Sequence, residues 1–138
     1  MKKVLIIILL VGGAYHFWNK YNADKLSHAT PSPNGFVEVI MPSGTTSHKV
    51  YILAPQNCPK EAGQRADALE RELKRRGVPV ERSSKGSVSA RNISEEEKSK
   101  FSNTVEILNG TIPAVFVNGM AKTNPDIEEI IAEYRRTN

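Results

Sequence analysis

The residue best equipped for chemistry is Cys58, in the run Asn57, Cys58, Pro59, Lys60, Glu61. An apolar, strand-like segment ends at Pro55, and helical spacing of apolar residues begins at Pro59, so Cys58 is placed in the first turn of a helix. A thiol there faces unpaired backbone N–H groups and the positive end of the helix dipole, which favours the thiolate and draws its pKa below the usual value of about 8.5. Lys60 would add to the effect, and a carboxylate at Glu61 aimed at the sulfur would oppose it. The competing reading is that a lone cysteine packs as a small buried hydrophobe. The polar neighbours Gln56, Asn57, Lys60 and Glu61 favour an accessible, reactive thiol instead. Because the chain holds one cysteine, an intrachain disulfide, a Cys-x-x-Cys pair and a cysteine-built zinc site are excluded, and redox or covalent chemistry needs a second molecule.

Other constellations are poorer. His16, His28 and His48 have no second ligand at metal spacing, so no metal site is expected. No nucleophile-elbow motif accompanies the serines. Asn92-Ile93-Ser94 and Asn109-Gly110-Thr111 fit the glycosylation acceptor pattern, which recurs by chance. Glu95, Glu96 and Glu97 read as the acidic first turn of a helix.

The elements that would position Cys58 follow from periodicity. Residues 36–41 alternate as a first strand, and residues 49–54, with Val50, Tyr51, Ile52 and Leu53 in succession, suit a strand buried on both faces. A helix from Pro59 carries Ala62, Ala66, Leu69 and Leu73 on one stripe and stops at Gly77. A short strand is expected at 78–82, then a Ser- and Gly-rich loop. Ser94 and Glu97 form a capping-box pattern for a second helix with Phe101, Val105 and Leu108 on its apolar face, closed by Asn109 and Gly110. Residues 111–117 make a strand that turns at Asn118-Gly119 into another. Asn124 is expected to cap a last helix, with Pro125 in its first turn and Ile127, Ile130, Ile131 and Tyr134 as its stripe. The order is β, β, α, β, α, β, β, α.

The 138 residues suffice for one compact domain. Residues 1–21 hold Lys2 and Lys3, an apolar run from Val4 to Ala14, and the aromatic residues Tyr15, Phe17, Trp18 and Tyr21. This pattern reads as a signal anchor, with the lysines cytoplasmic and the following domain exported. A cleaved signal peptide is the alternative. Residues 22–35, rich in Pro, Ser and Asn, read as a tether, and residues 36–138 as the domain. The formal charge is +4, but beyond Tyr21 there are 16 basic and 15 acidic side chains. A nearly neutral domain without a basic block does not suit nucleic-acid binding.

One strand, a cysteine before the next helix, a late Ile-Pro opening a hairpin strand and a final helix together resemble the thioredoxin-like arrangement, and the motifs resemble those of glutaredoxins. Cys58, Pro59, Lys60 and Glu61 are similar to the Cys-Pro-x-Cys turn, with Glu61 in place of the second cysteine. Thr111, Ile112 and Pro113 resemble the family's Thr-Val-Pro, and residues 115–119 its Val-Phe-Ile-Asn-Gly. The resemblance spans about residues 49 to 136.

It implies an α/β, thioredoxin-like fold, a central mixed sheet flanked by helices, which would follow the N-terminal membrane helix read from residues 1–21. It also implies a cis Pro113 against Cys58, with the Ile112 backbone pairing with a bound peptide or thiol substrate, and Pro59, Thr111, Ile112 and Pro113 as the binding residues. The chain departs from the family in the stretch that holds glutathione: residues 120–124 replace a Gly-Gly pair and its acid, which only Asp126 echoes. No basic residue stands just before Cys58. No cofactor is therefore expected; glutathione stays the one possible ligand of this kind, and these departures count against it.

The expected activity is monothiol thiol–disulfide exchange through Cys58, by a membrane-tethered domain on the extracytoplasmic, periplasmic side. Its partners would be protein or small-molecule thiols and disulfides. The alternative is a redox-inactive module that binds a peptide or an envelope protein.

Overall fold

The computed structural model describes residues 30–55 and 60–138. Eight elements follow in the order read from the sequence: β1 (Val37–Glu38), β2 (Val50–Leu53), α1 (Glu61–Arg75), β3 (Val80–Ser83), α2 (Glu95–Leu108), β4 (Ala114–Val117), β5 (Met120–Thr123) and α3 (Ile127–Thr137). The protein is α/β, with one mixed five-stranded sheet in the order β1-β5-β4-β2-β3. Among the described residues no helix is long and apolar enough to cross a membrane. The expected anchor, residues 1–21, lies outside the described residues, as does most of the tether.

β2 is central. It pairs parallel to β3, with Val50 opposite Val80, and antiparallel to β4, with Val50 opposite Val117. All four of its side chains are buried, as are those of β4, which is why both read as unbroken apolar runs. Their alternation divides two cores. Val50, Ile52, Val115 and Val117 point to one face, where Ala66 and Leu73 of α1, Ile130 and Ile131 of α3, and Phe36 cover them. Tyr51, Leu53, Ala114 and Phe116 point to the other, packed with Val39 and Ala121 under Ile107 and Leu108 of α2.

Three details depart from the sequence reading. β1 is two residues long rather than six. The N–H of Val39 still donates to the Gly119 carbonyl, but Ile40 donates to Thr104 Oγ1 at 2.9 Å and accepts from it at 3.0 Å. A side chain of α2 therefore takes the backbone groups that a longer strand would give to the sheet. For the same reason the apolar face of α2 is rotated: Thr104 is its fully buried residue, while Val105 is 37% exposed. Finally, α3 starts at Ile127, capped by Asp126 rather than Asn124. Asp126 accepts from the Glu129 N–H and Glu129 reaches back to the Asp126 N–H, a reciprocal box. Asn124 instead takes a positive φ of 46°, and its N–H donates to the Pro113 carbonyl at 2.7 Å.

The folded unit begins before the expected boundary at Phe36, at Pro31. Ser32 Oγ and Asn34 Nδ2 donate to Glu133 Oε2 at 2.9 and 2.8 Å, and Ser32 Oγ accepts from the Phe36 N–H at 3.2 Å. Glu133 is fully buried. Burial by itself would raise its carboxyl pKa, but hydrogen bonds from Arg136, Asn34 and Ser32 outweigh it and hold the group below its ordinary value.

Candidate functional site

The site is assembled at one end of two inner strands of the sheet, β2 and β4. The last residue of β2, Leu53, lies opposite the first residue of β4, Ala114. The chain thus leaves β2 through Ala54 and Pro55 beside the point where Ile112 and Pro113 enter β4. The Ile112–Pro113 peptide bond is cis. Pro113 is buried, whereas Thr111 and Ile112 are exposed, Ile112 to 37%. Pro113 directly precedes β4 and its carbonyl accepts from the Asn124 N–H, so the cis bond sits at the anchored end of the β4–β5 hairpin.

Of the residues expected to form the site, Thr111, Ile112 and Pro113 are together here. Cys58 and Pro59 lie outside the described residues. The helix that follows them, α1, starts at Glu61 rather than at the expected Pro59, because Lys60 is extended and takes the cap position, with no side-chain cap. A helix start without a side-chain cap leaves N–H groups available to another acceptor. Glu61 pairs with Arg65 one turn on, at 2.9 Å. The same guanidinium reaches the Ile112 carbonyl through Nη2 at 3.4 Å, so Arg65 links the first turns of α1 to the cis-proline segment.

Two concavities border this end of the sheet. A shallow one of about 330 Å³ lies on the α2 side, lined by Leu53, Ala54, Pro55, Val105, Leu108 and Ile112 among others. It brings the exposed apolar side chains Val105 and Ile112 to the same hollow. A groove of about 570 Å³ lies on the opposite face, between Arg65, Leu69 and Glu72 of α1 and Pro125, Asp126 and Ile127 at the start of α3. Its Asp126, the one acidic echo of a glutathione-holding residue, spends its carboxylate on the α3 cap. Glu72 is held at a pKa of about 2 by hydrogen bonds from Arg75 and then Arg76, and Arg76 also meets Glu128 at 2.9 Å.

His48 is exposed in the turn before β2, with φ of 62° and its N–H on Asn118 Oδ1 at 2.7 Å. Its ring faces the Asn138 side chain. His16 and His28 lie outside the described residues. Among the described residues no group of three or more His, Cys, Asp or Glu side chains could hold a metal ion.

Sequence reasoning did not single out Arg65 or Arg82. Arg65 stands on a helix rich in exposed charge, and its reach to Ile112 depends on a segment 47 residues away. Arg82 sits in a short strand with polar neighbours, and nothing in its local pattern shows that its side chain is buried. Comparison of the chain with known protein families, curated proteins and solved structures gives no match.

Proposed function

We propose that the domain is a thioredoxin-like, glutaredoxin-like thiol–disulfide exchange protein with Cys58 as its single thiol. The observation that carries this reading is the pairing of Leu53 with Ala114. It sets the chain leading to Cys58 beside the cis Ile112–Pro113 segment, the juxtaposition that the Cys-Pro and Thr-Ile-Pro motifs imply. The uncapped start of α1 supports a thiolate three residues before Glu61 in the chain.

In the reaction the Cys58 thiolate attacks one sulfur of a partner disulfide. A bond forms to Cys58 sulfur, the partner's S–S bond breaks, and its other sulfur leaves as a thiolate. An external thiolate, from a small molecule or a protein, then attacks the partner's sulfur in the mixed disulfide and releases Cys58 as thiolate. Pro59, Thr111, Ile112 and Pro113 frame the substrate, and no cofactor takes part. Residues 1–21 tether the domain to a membrane, with the domain on the extracytoplasmic side.

Iodoacetamide labelling of the native full chain tests the thiol. The expected result is alkylation of Cys58 with a pH midpoint below about 8.5. Labelling only after denaturation rejects exchange chemistry and leaves the second reading, a redox-silent binding module. The apolar hollow with Val105 and Ile112 exposed at its margin favours that reading. Cell fractionation tests the tether: a chain recovered soluble, beginning after residue 14 or 29, rejects it.

A further inference from the structure

We propose that Asn109 is a site of spontaneous modification, in which its side-chain amide becomes an acid through a cyclic imide closed with Gly110. The chain holds three Asn-Gly steps, Asn34-Gly35, Asn109-Gly110 and Asn118-Gly119. Glycine hinders this ring closure least, because it puts no Cβ beside the attacking nitrogen. The tertiary structure separates the three steps. Asn34 Nδ2 donates to Glu133 Oε2 at 2.8 Å, and the Gly35 N–H donates to the Ser32 carbonyl at 2.8 Å. Asn118 Oδ1 accepts from the His48 N–H at 2.7 Å, and its Nδ2 donates to Thr137 Oγ1 at 3.0 Å. Asn109 and Gly110 are both exposed, and the Asn109 side chain has no hydrogen-bond partner among the described residues.

In the reaction the Gly110 nitrogen attacks Asn109 Cγ. A C–N bond forms, the Cγ–Nδ2 bond breaks and Nδ2 leaves as ammonia, while the Gly110 amide proton passes to solvent base. Water then opens the imide at either carbonyl and gives aspartate or its isoaspartyl isomer. At Asn34 and Asn118 the side chain must first give up bonds to distant parts of the fold. At Asn109 it is free to rotate, and only the backbone has to move. Asn109 is the C-cap of α2, with ψ of −1°. The bonds that hold this backbone are those of a helix end, from the Asn109 N–H to the Val105 carbonyl at 3.1 Å and from the Gly110 N–H to the Ile107 carbonyl at 3.2 Å. Such ends open locally without unfolding the core. The product sets a carboxylate in the hollow that Asn109 lines with Val105, Leu108 and Ile112. The isoaspartyl form also lengthens the main chain between α2 and the cis Ile112–Pro113 bond by one carbon. Neither step involves Cys58.

The test incubates the full chain and N109Q at neutral and mildly alkaline pH, both native and in urea. Peptide mapping by mass spectrometry follows each Asn-Gly step through the mass gain from amide to acid. In the native protein Asn109 is expected to convert at least about tenfold faster than Asn34 or Asn118, since its opening is local and theirs breaks tertiary bonds. Conversion should rise with pH, and in urea the three rates should converge. N109Q, whose longer side chain closes a ring with the next nitrogen far less readily, should lose the reaction at position 109 and leave the other two steps unchanged. A native Asn109 that converts no faster than Asn34 and Asn118 overturns the proposal. So does an Asn109 that stays an amide in the native protein while the chain in urea converts. If position 109 does not convert in urea either, the step itself is unreactive and the proposal falls.

Discussion

Thr104 and Ile40 satisfy one another almost completely: a single hydroxyl on α2 accepts the Ile40 N–H at 2.9 Å and lies 3.0 Å from the Ile40 carbonyl. The same hydroxyl can turn to the Lys100 carbonyl of its own helix at 2.8 Å. This fully buried group fastens the edge segment after β1 to the α2 face of the sheet. The expected effect of T104V, which keeps the shape and removes the hydroxyl, is a loss of about 1–3 kcal/mol, because the Ile40 N–H is left without its acceptor. T104S should retain most of the stability. Urea denaturation of the three proteins checks the order, and a T104V as stable as the parent would show that water replaces the hydroxyl.

Glu133 makes the folded unit sensitive to acid. Its folded pKa is depressed, so its contribution to stability is present above the unfolded carboxyl value, about 4.3, and is lost as pH falls through the lower folded value. The parent is therefore expected to lose stability over this acidic range more steeply than E133Q, which cannot titrate there. At neutral pH, E133A should be destabilised by about 2–4 kcal/mol, since Ser32 and Asn34 lose their acceptor and Arg136 its partner. Hydrogen exchange of the Phe36 amide, bonded to Ser32 Oγ, reports the loosening of the entry segment. A slope against pH that is the same for the parent and E133Q would refute the assignment.

Glu61 occupies the first helical position of α1, three residues after Cys58 in sequence. In the Cys-Pro-x-Cys turn that residues 58–61 resemble, two cysteines at this spacing close a disulfide. E61C is therefore expected to form an intrachain disulfide in air and, with a reductant present, to turn over an insulin-type disulfide that the parent retains as a mixed disulfide. The substitution also removes the exposed pair to Arg65, which is worth about 0.5 kcal/mol or less. Thiol counting before and after oxidation decides it. Two thiols that stay free would reject the resemblance of residues 58–61 to a Cys-Pro-x-Cys turn.

Local chemistry made most of the framework legible. The succession of Val50 to Leu53 and of Ala114 to Val117 announces two doubly covered strands, Gly77 takes the positive φ of 74° that ends α1, and Ser94 with Glu97 makes the capping box of α2. Each depends on neighbours within a few residues, where side-chain period, backbone φ and capping donors act directly. The Asn124 cap failed at the same range because two competing caps stand two residues apart, and Asp126 has the glutamate three positions on that completes a box. Asn124 was drawn instead to the carbonyl of Pro113.

What remained hidden depends on partners distant in sequence. The sequence determined that this chain has one thiol, a strand before it, a helix after it and an Ile-Pro later on. Only the tertiary structure decided that Leu53 meets Ala114, and so that the end of the strand before the thiol lies beside the Ile-Pro. Only it decided that Thr104 takes the backbone of Ile40, 64 residues away, and that Glu133 gathers Ser32 and Asn34 across about a hundred positions. Arg82 is the sharpest case. Its residue type and strand position suggest a solvated side chain, since a charge alone does not bury itself. The carbonyls of Ala54 and Pro55 at the exit of β2 and the carboxylates of Asp67 and Glu70 on α1 supply the compensation, and no local pattern brings those four acceptors together.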